Sequence, residues 1–181
     1  MFPFPRPLRV LPLLAALSLV ACSPRYNWRD YSSPDAPYRV MFPDKPSSHT
    51  RSIDLDGMTL DMTMTATQIE TTMFAVGSAQ APDAAKAQAA LGAMKTALVR
   101  NIGATVTKEK ATAATVSKDG AQIQGATLDI EATGLQNGVP MRLLGHFEAR
   151  NQRFYQVVVM GRAKTLAPDQ VEQFMTSFKL L

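Results

Sequence analysis

Apolar and polar positions alternate along most of the chain from Tyr38 onward, and the alternation breaks at turn-forming residues. Tyr38–Phe42 (YRVMF) alternates and stops at Pro43, which predicts a short strand. Lys45–Ser48 reads as a loop that reaches to His49. Thr50–Leu55 and Met58–Ile69 read as strands joined at Asp56-Gly57, a two-residue hairpin signal. Met58, Leu60, Met62 and Met64 then share one face, and Thr59, Asp61, Thr63 and Thr65 the other, as in a half-buried antiparallel strand. Thr72–Ala79 continues as a further strand.

The period then changes. Ala84, Ala87, Leu91, Met94 and Leu98 recur at helical spacing. Pro82 and Asp83 suit the start of a helix, and Asn101–Gly103 its end. The alanine-rich stripe predicts close approach to a sheet. Strands resume at Thr105–Ser117, followed by a turn at Lys118-Asp119-Gly120. Gln122–Thr133 follows, with Leu128, Ile130 and Ala132 inward and Gly125 as a candidate bulge. Asn137-Gly138 makes the next turn. Val139–Arg150 and Arg153–Met160 form a hairpin around Asn151-Gln152. Pro168 opens a second helix that carries Val171, Phe174, Met175 and Phe178 on one side. Short links between strands predict an α+β domain over residues 38–181, mainly an antiparallel sheet flanked by two helices.

The first 21 residues have a different character. Arg6 and Arg9 precede the apolar run Val10–Leu19, with no acid nearby. That run is too short for a bilayer core of about 30 Å. It reads as a signal peptide, to be left out of the fold. Leu19-Val20-Ala21-Cys22 resembles the lipobox of bacterial lipoproteins. The resemblance implies diacylglyceryl transfer to the Cys22 thiol, cleavage between Ala21 and Cys22, and acylation of the new amino group. Cys22 is the only cysteine in the chain, so no intrachain disulfide can form. Acylation gives that odd thiol a role; the competing account is a soluble secreted protein with a chance cysteine. Each buried CH₂ contributes about 0.8 kcal/mol, so several acyl chains would hold the protein on membrane lipid. Ser23, by the same resemblance, favours the outer membrane over the inner.

Removing Arg6 and Arg9 with the leader takes the formal charge from +4 to +2. No basic run remains, which argues against nucleic acid as a partner. Ser23–Pro37 (SPRYNWRDYSSPDAP) is rich in Pro, Ser and charge. Residues 22–37 therefore read as the lipidated N-terminus and a tether, with prolines keeping it extended. Trp28 has two readings: packing onto the domain edge, or contact with a partner or lipid headgroup.

Tyr38-Arg39-Val40-Met41-Phe42-Pro43, the hairpins, the mid-chain helix and the closing Phe174-Met175-Thr176-Ser177-Phe178-Lys179-Leu180 resemble PsbP-like domains. The resemblance covers about residues 38–181. It implies an antiparallel sheet flanked by helices and a binding or assembly role. No binding residue carries over position by position.

Chemistry-bearing residues are sparse. His49 and His146 match no metal-ligand spacing and read as solvent-facing; His146 alternates with Leu144 and Glu148. Lys108-Glu109-Lys110 reads as a solvated strand edge. Asp54, Asp56 and Asp61 cluster, but Asp56 belongs to the turn and the spacing is not that of a calcium loop. No Gly-x-Ser-x-Gly elbow or phosphate-binding glycine loop occurs. Met62 and Met64, with Met58 and His49 nearby, are the one candidate soft-metal set, suited to copper(I); the competing account is a core face filled by methionine. The expectation is a non-enzymatic binding or assembly lipoprotein of the envelope, without a cofactor and with an envelope protein as partner. The alternative is a periplasmic carrier of a small ligand or copper.

Overall fold

A computed structural model describes residues 25–118 and 121–181, with 114–118 and 121–123 described by their backbone alone. The signal-peptide run, Ala21, Cys22, Ser23 and the Asp119-Gly120 turn lie outside the described residues.

The first strands form where the alternation places them. β1 is Arg29–Ser32, β2 Tyr38–Phe42, β3 Ser47–Leu55, β4 Met58–Ile69 and β5 Thr72–Gln80. The β3–β4 turn has positive φ at both Asp56 (56°) and Gly57 (81°). That is the twist a two-residue hairpin needs, and glycine adopts it without a Cβ penalty. Asp54 Oδ1 accepts the Gly57 N–H at 3.0 Å, so this acid serves the turn. β3 starts at Ser47, earlier than the strand start expected at Thr50, so the loop expected over Lys45–Ser48 is shorter and His49 lies within the strand. The run Ser47–Ser52 is wholly polar, so its sequence shows no alternation.

α1 spans Ala84–Asn101. Asp83 caps it, its Oδ1 accepting the Lys86 N–H at 2.7 Å, which satisfies one orphan donor of the first turn. Gly103, at φ 56°, turns the chain out of the helix. β6 (Ala104–Lys118), β7 (Ala121–Gln136), β8 (Val139–Arg150) and β9 (Arg153–Arg162) follow, then α2 (Pro168–Ser177) and β10 (Lys179–Leu180). Pro168 occupies the first turn of α2, where its missing N–H costs nothing.

All pairings among the described residues are antiparallel. The domain is α+β with two helices, and its strands form two sheets. The larger has the order β3-β4-β5-β9-β8-β7-β6; the smaller has the order β1-β2-β10. The path explains the larger sheet. β3–β5 is one meander, α1 crosses to the far edge, and β6–β9 meanders back until β9 pairs with β5.

Each face of the large sheet has its own core. On one face α1 sets Ala87, Ala90, Leu91 and Met94 against Leu128, Ile130, Leu143, Phe147 and Phe154. On the other face Tyr38, Val40 and Phe42 of β2, with Phe174 and Phe178, cover Phe74, Val76, Tyr155, Val157 and Val159. β9 is covered on both faces, which accounts for its nearly unbroken apolar run.

The segment expected as a tether is shorter than its composition suggests. Arg29–Ser32 pairs with β2, and Ala36 is buried. Trp28 donates its Nε1–H to Gln170 Oε1 at 3.1 Å and meets Phe74 edge-on. The aromatics thus dock this segment onto the domain, the first of the two readings given above for Trp28. The expected bulge at Gly125 is also corrected: Gly125 pairs regularly with Ala114 and Arg150. The irregularity lies in β6 between Val106 and Lys108, where Thr107 Oγ1 donates to Glu131 O at 3.1 Å.

Candidate functional site

The β6 bulge reverses the parity of its strand, and with it the face on which the lysines stand. Val106 pairs with Ala132 and packs into the α1 core. Past the bulge, Lys108 pairs with Glu131 and Lys110 with Asp129, on the opposite face. Glu109 turns instead to α1, where Lys95 Nζ lies 3.0 Å from its Oε1.

On that opposite face, α2 and the small sheet cover β5 and β9. Beyond them is a groove of about 550 Å³ between α2 and strands β6–β8. Leu144, Leu166, Val171 and Met175 form its apolar side, and Lys108, Glu131 and Arg142 part of its charged side. Glu131 is shared between two cations. Its Oε1 is 3.0 Å from Lys108 Nζ and its Oε2 is 2.9 Å from Arg142 Nη2. Those donors, Lys108 first and then Arg142, hold the Glu131 carboxyl below its usual range, against the effect of burial.

Beside this triad stands His146. Its Nδ1 is 2.6 Å from Asp129 Oδ1 and its Nε2 is 3.5 Å from Glu148 Oε2. Its ring lies 6.2 Å from that of Phe178, just after α2. The solvent-facing reading is corrected here: the side chain is 24 % exposed and bridges two carboxylates. Burial is the largest influence and lowers its pKa. The hydrogen bonds to Glu148 and Asp129, with their charges, together outweigh it and raise the pKa above the ordinary value. Both ring nitrogens face carboxylates, so neither is presented to a nucleophile.

A stability prediction follows from that sign. A histidine whose folded pKa is raised contributes stability that is full below its unfolded value of about 6.5 and is lost as pH rises through the folded value. Urea midpoints should fall with rising pH across the window just above roughly 6.5. His146→Gln should flatten that slope. An equal slope in the variant would assign the pH dependence to another group.

The methionines are brought together by a glycine. A Cβ on Gly77 would lie 2.6 Å from Met64 Sδ and would collide with Met62 Cε. Both side chains therefore fill the space above Gly77. Met62 is 5 % exposed within the α1-side core, and Met64 Sδ accepts from Gln156 Nε2 at 3.4 Å. His49 is exposed and stands opposite Met64 in the β3–β4 register. Core packing accounts for Met62 and Met64. Among the described residues no group of three or more His, Cys, Asp or Glu side chains is arranged to hold a metal.

Sequence reasoning did not single out Asp129, Glu131 or Arg142. Their signal was present in the alternation: Asp129 and Glu131 flank the inward Ile130, and Arg142 shares the parity of Leu144 and His146. The missing information was which strands lie side by side.

No protein-family model matches the chain, and no curated protein sequence matches it significantly. Among the described residues no helix is long and apolar enough to cross a membrane.

Proposed function

We propose that the chain is a lipid-anchored protein of the bacterial envelope, on the outer membrane facing the periplasm, whose PsbP-like domain binds a partner protein without catalysing a reaction. The observation that carries the binding role is the groove between α2 and strands β6–β8. It sets an apolar helix flank beside an ion-paired strand face. An apolar patch with fixed, mixed charge around it suits protein recognition: the apolar part gains from losing water, and the charges select register and partner. The lipobox-like Leu19-Val20-Ala21-Cys22 supports the anchor. The aromatic docking of residues 26–31 would hold the domain near the bilayer, because it shortens the free tether.

The test places a photo-crosslinking amino acid at Met175, in the groove, and at Ala85, exposed on α1, in otherwise native cells. Crosslinks to one protein from Met175 and none from Ala85 are the expected result. In the Cys22→Ser chain that adduct should be lost or reduced, because the anchor no longer concentrates the domain at the membrane. Equal adducts from both positions would sink the assignment of this face.

The groove volume also suits a small ligand, within the range of about 300–1,000 Å³ usual for such sites. A molecule retained on the purified chain in native mass spectrometry would select that carrier reading instead.

A further inference from the structure

A second cavity, of about 430 Å³, lies on the same side of the large sheet, at the tip of the β8–β9 hairpin. Arg150 and Arg153 both line it, and they are direct cross-strand partners around the Asn151-Gln152 turn. Two like charges held opposite each other in a hairpin repel and weaken it, so an anion seated between them would relieve a standing cost. Arg150 has only a long contact to a carboxylate, Nη2 to Glu148 Oε1 at 3.5 Å, and Glu148 also serves His146. Among the described residues Arg153 forms no ion pair.

Tyr155 supplies an independent observation. It lines the same cavity and is only 1 % exposed. Its hydroxyl has no hydrogen-bond partner among the described residues, yet no fully enclosed side-chain oxygen there lacks a partner. The hydroxyl is therefore not fully enclosed, and Tyr155 borders this cavity. Burial, the largest influence, raises its pKa, and the Arg153 and Arg150 charges oppose this. It stays protonated near neutral pH and is available as a donor. Pro37 and Leu180 supply apolar wall beside the three donors.

We propose that this cavity is an oxyanion site, in which Arg150 and Arg153 grip a phosphate or carboxylate group and Tyr155 donates its hydroxyl hydrogen to the same group. Guanidinium forks match such planar or tetrahedral oxyanions, and charge-assisted bonds are the strong ones. The site is separate from the α2 groove, and its occupancy does not depend on the partner proposed for that groove. The anion can come from solution or from the head of an amphiphile whose tail lies along Pro37 and Leu180.

Calorimetric titration of the full chain in nonionic detergent with inorganic phosphate and with octyl phosphate tests the site. Saturable binding of phosphate alone would support it with a soluble anion as ligand. Binding of octyl phosphate only would support it with an amphiphile as ligand. In either case Arg153→Gln should weaken binding by about tenfold, added salt should weaken it further, and Tyr155→Phe should weaken it by a smaller factor. Arg153 is partly buried, and its replacement removes the cross-strand repulsion, so the thermal midpoint should hold or rise slightly. Two results would overturn the proposal: no saturable binding of either compound, or affinities that Arg153→Gln leaves unaltered. The second would mark uptake of octyl phosphate by the detergent micelle.

Discussion

Phe174→Ala is expected to lower the stability of the domain by about 3–5 kcal/mol, at the upper end of what a single truncation costs. Phe174 is fully buried, at 0 % exposure. Its ring lies 5.4 Å from that of Phe42 in β2 and 5.3 Å from that of Phe74 in β5. One side chain therefore joins α2, the small sheet and the large sheet. Truncation removes its apolar contact area and leaves a cavity lined by two rings that cannot collapse into it, because both belong to hydrogen-bonded strands. α2 has only 10 residues, and a helix that short has little stability without its packing face. Because Val171 and Met175 of the same helix form one side of the groove, the groove should loosen with the core. Chemical denaturation gives the stability change, and hydrogen exchange of the α2 amides locates it. A loss below about 1 kcal/mol would mean that α2 is held elsewhere.

Gly134→Ala is the second large effect expected, about 1–3 kcal/mol of destabilisation by overpacking. A Cβ at this position of β7 would lie 2.9 Å from Ala104 Cα and 3.0 Å from Gly103 O. These are backbone atoms at the start of the edge strand β6, just after the turn out of α1. They cannot rotate away, so β6 must shift as a unit, and the Lys108–Glu131 pair on the charged side of the groove would shift with it. Gly77→Ala is the control. Its new Cβ would meet Met62 Cε and Met64 Sδ, the ends of flexible side chains that can swing aside, and Gln156 Cγ, which moves only with a change of rotamer. Urea unfolding of the two variants should rank Gly134→Ala as the more damaging. The reverse order would show that β6 yields more easily than the methionine cluster.

The elements legible in the sequence are those whose signals are local. Asp56-Gly57 and Asn137-Gly138 reach positive φ at both positions, and each joins two neighbouring strands of one sheet. Asp83, the apolar stripe from Ala87 to Met94 and Gly103 delimit α1 from its own residues. Leu128, Ile130 and Ala132 are inward as their alternation requires. β1 and β10 escaped notice for a physical reason: with 4 and 2 residues they carry no period of their own. They exist because β2 offers them unpaired edges.

The sequence by itself determined the two periodicities, the turns and the helix ends, since each depends on dihedral preference and burial within a few residues. Tertiary structure alone decided that β9 lies beside β5, and that α1 crosses to the far edge before the second meander returns. It also decided the β6 bulge, because Thr107-Lys108-Glu109-Lys110 contains no apolar residue whose misplacement would expose a change of parity. That bulge puts Lys108 beside Glu131. The register of β7 on β8 puts Asp129 beside His146, and the β8–β9 hairpin sets Arg150 against Arg153. Alternation tells a side chain which face it occupies. Only the pairing of strands far apart in the chain tells it which charge it meets there.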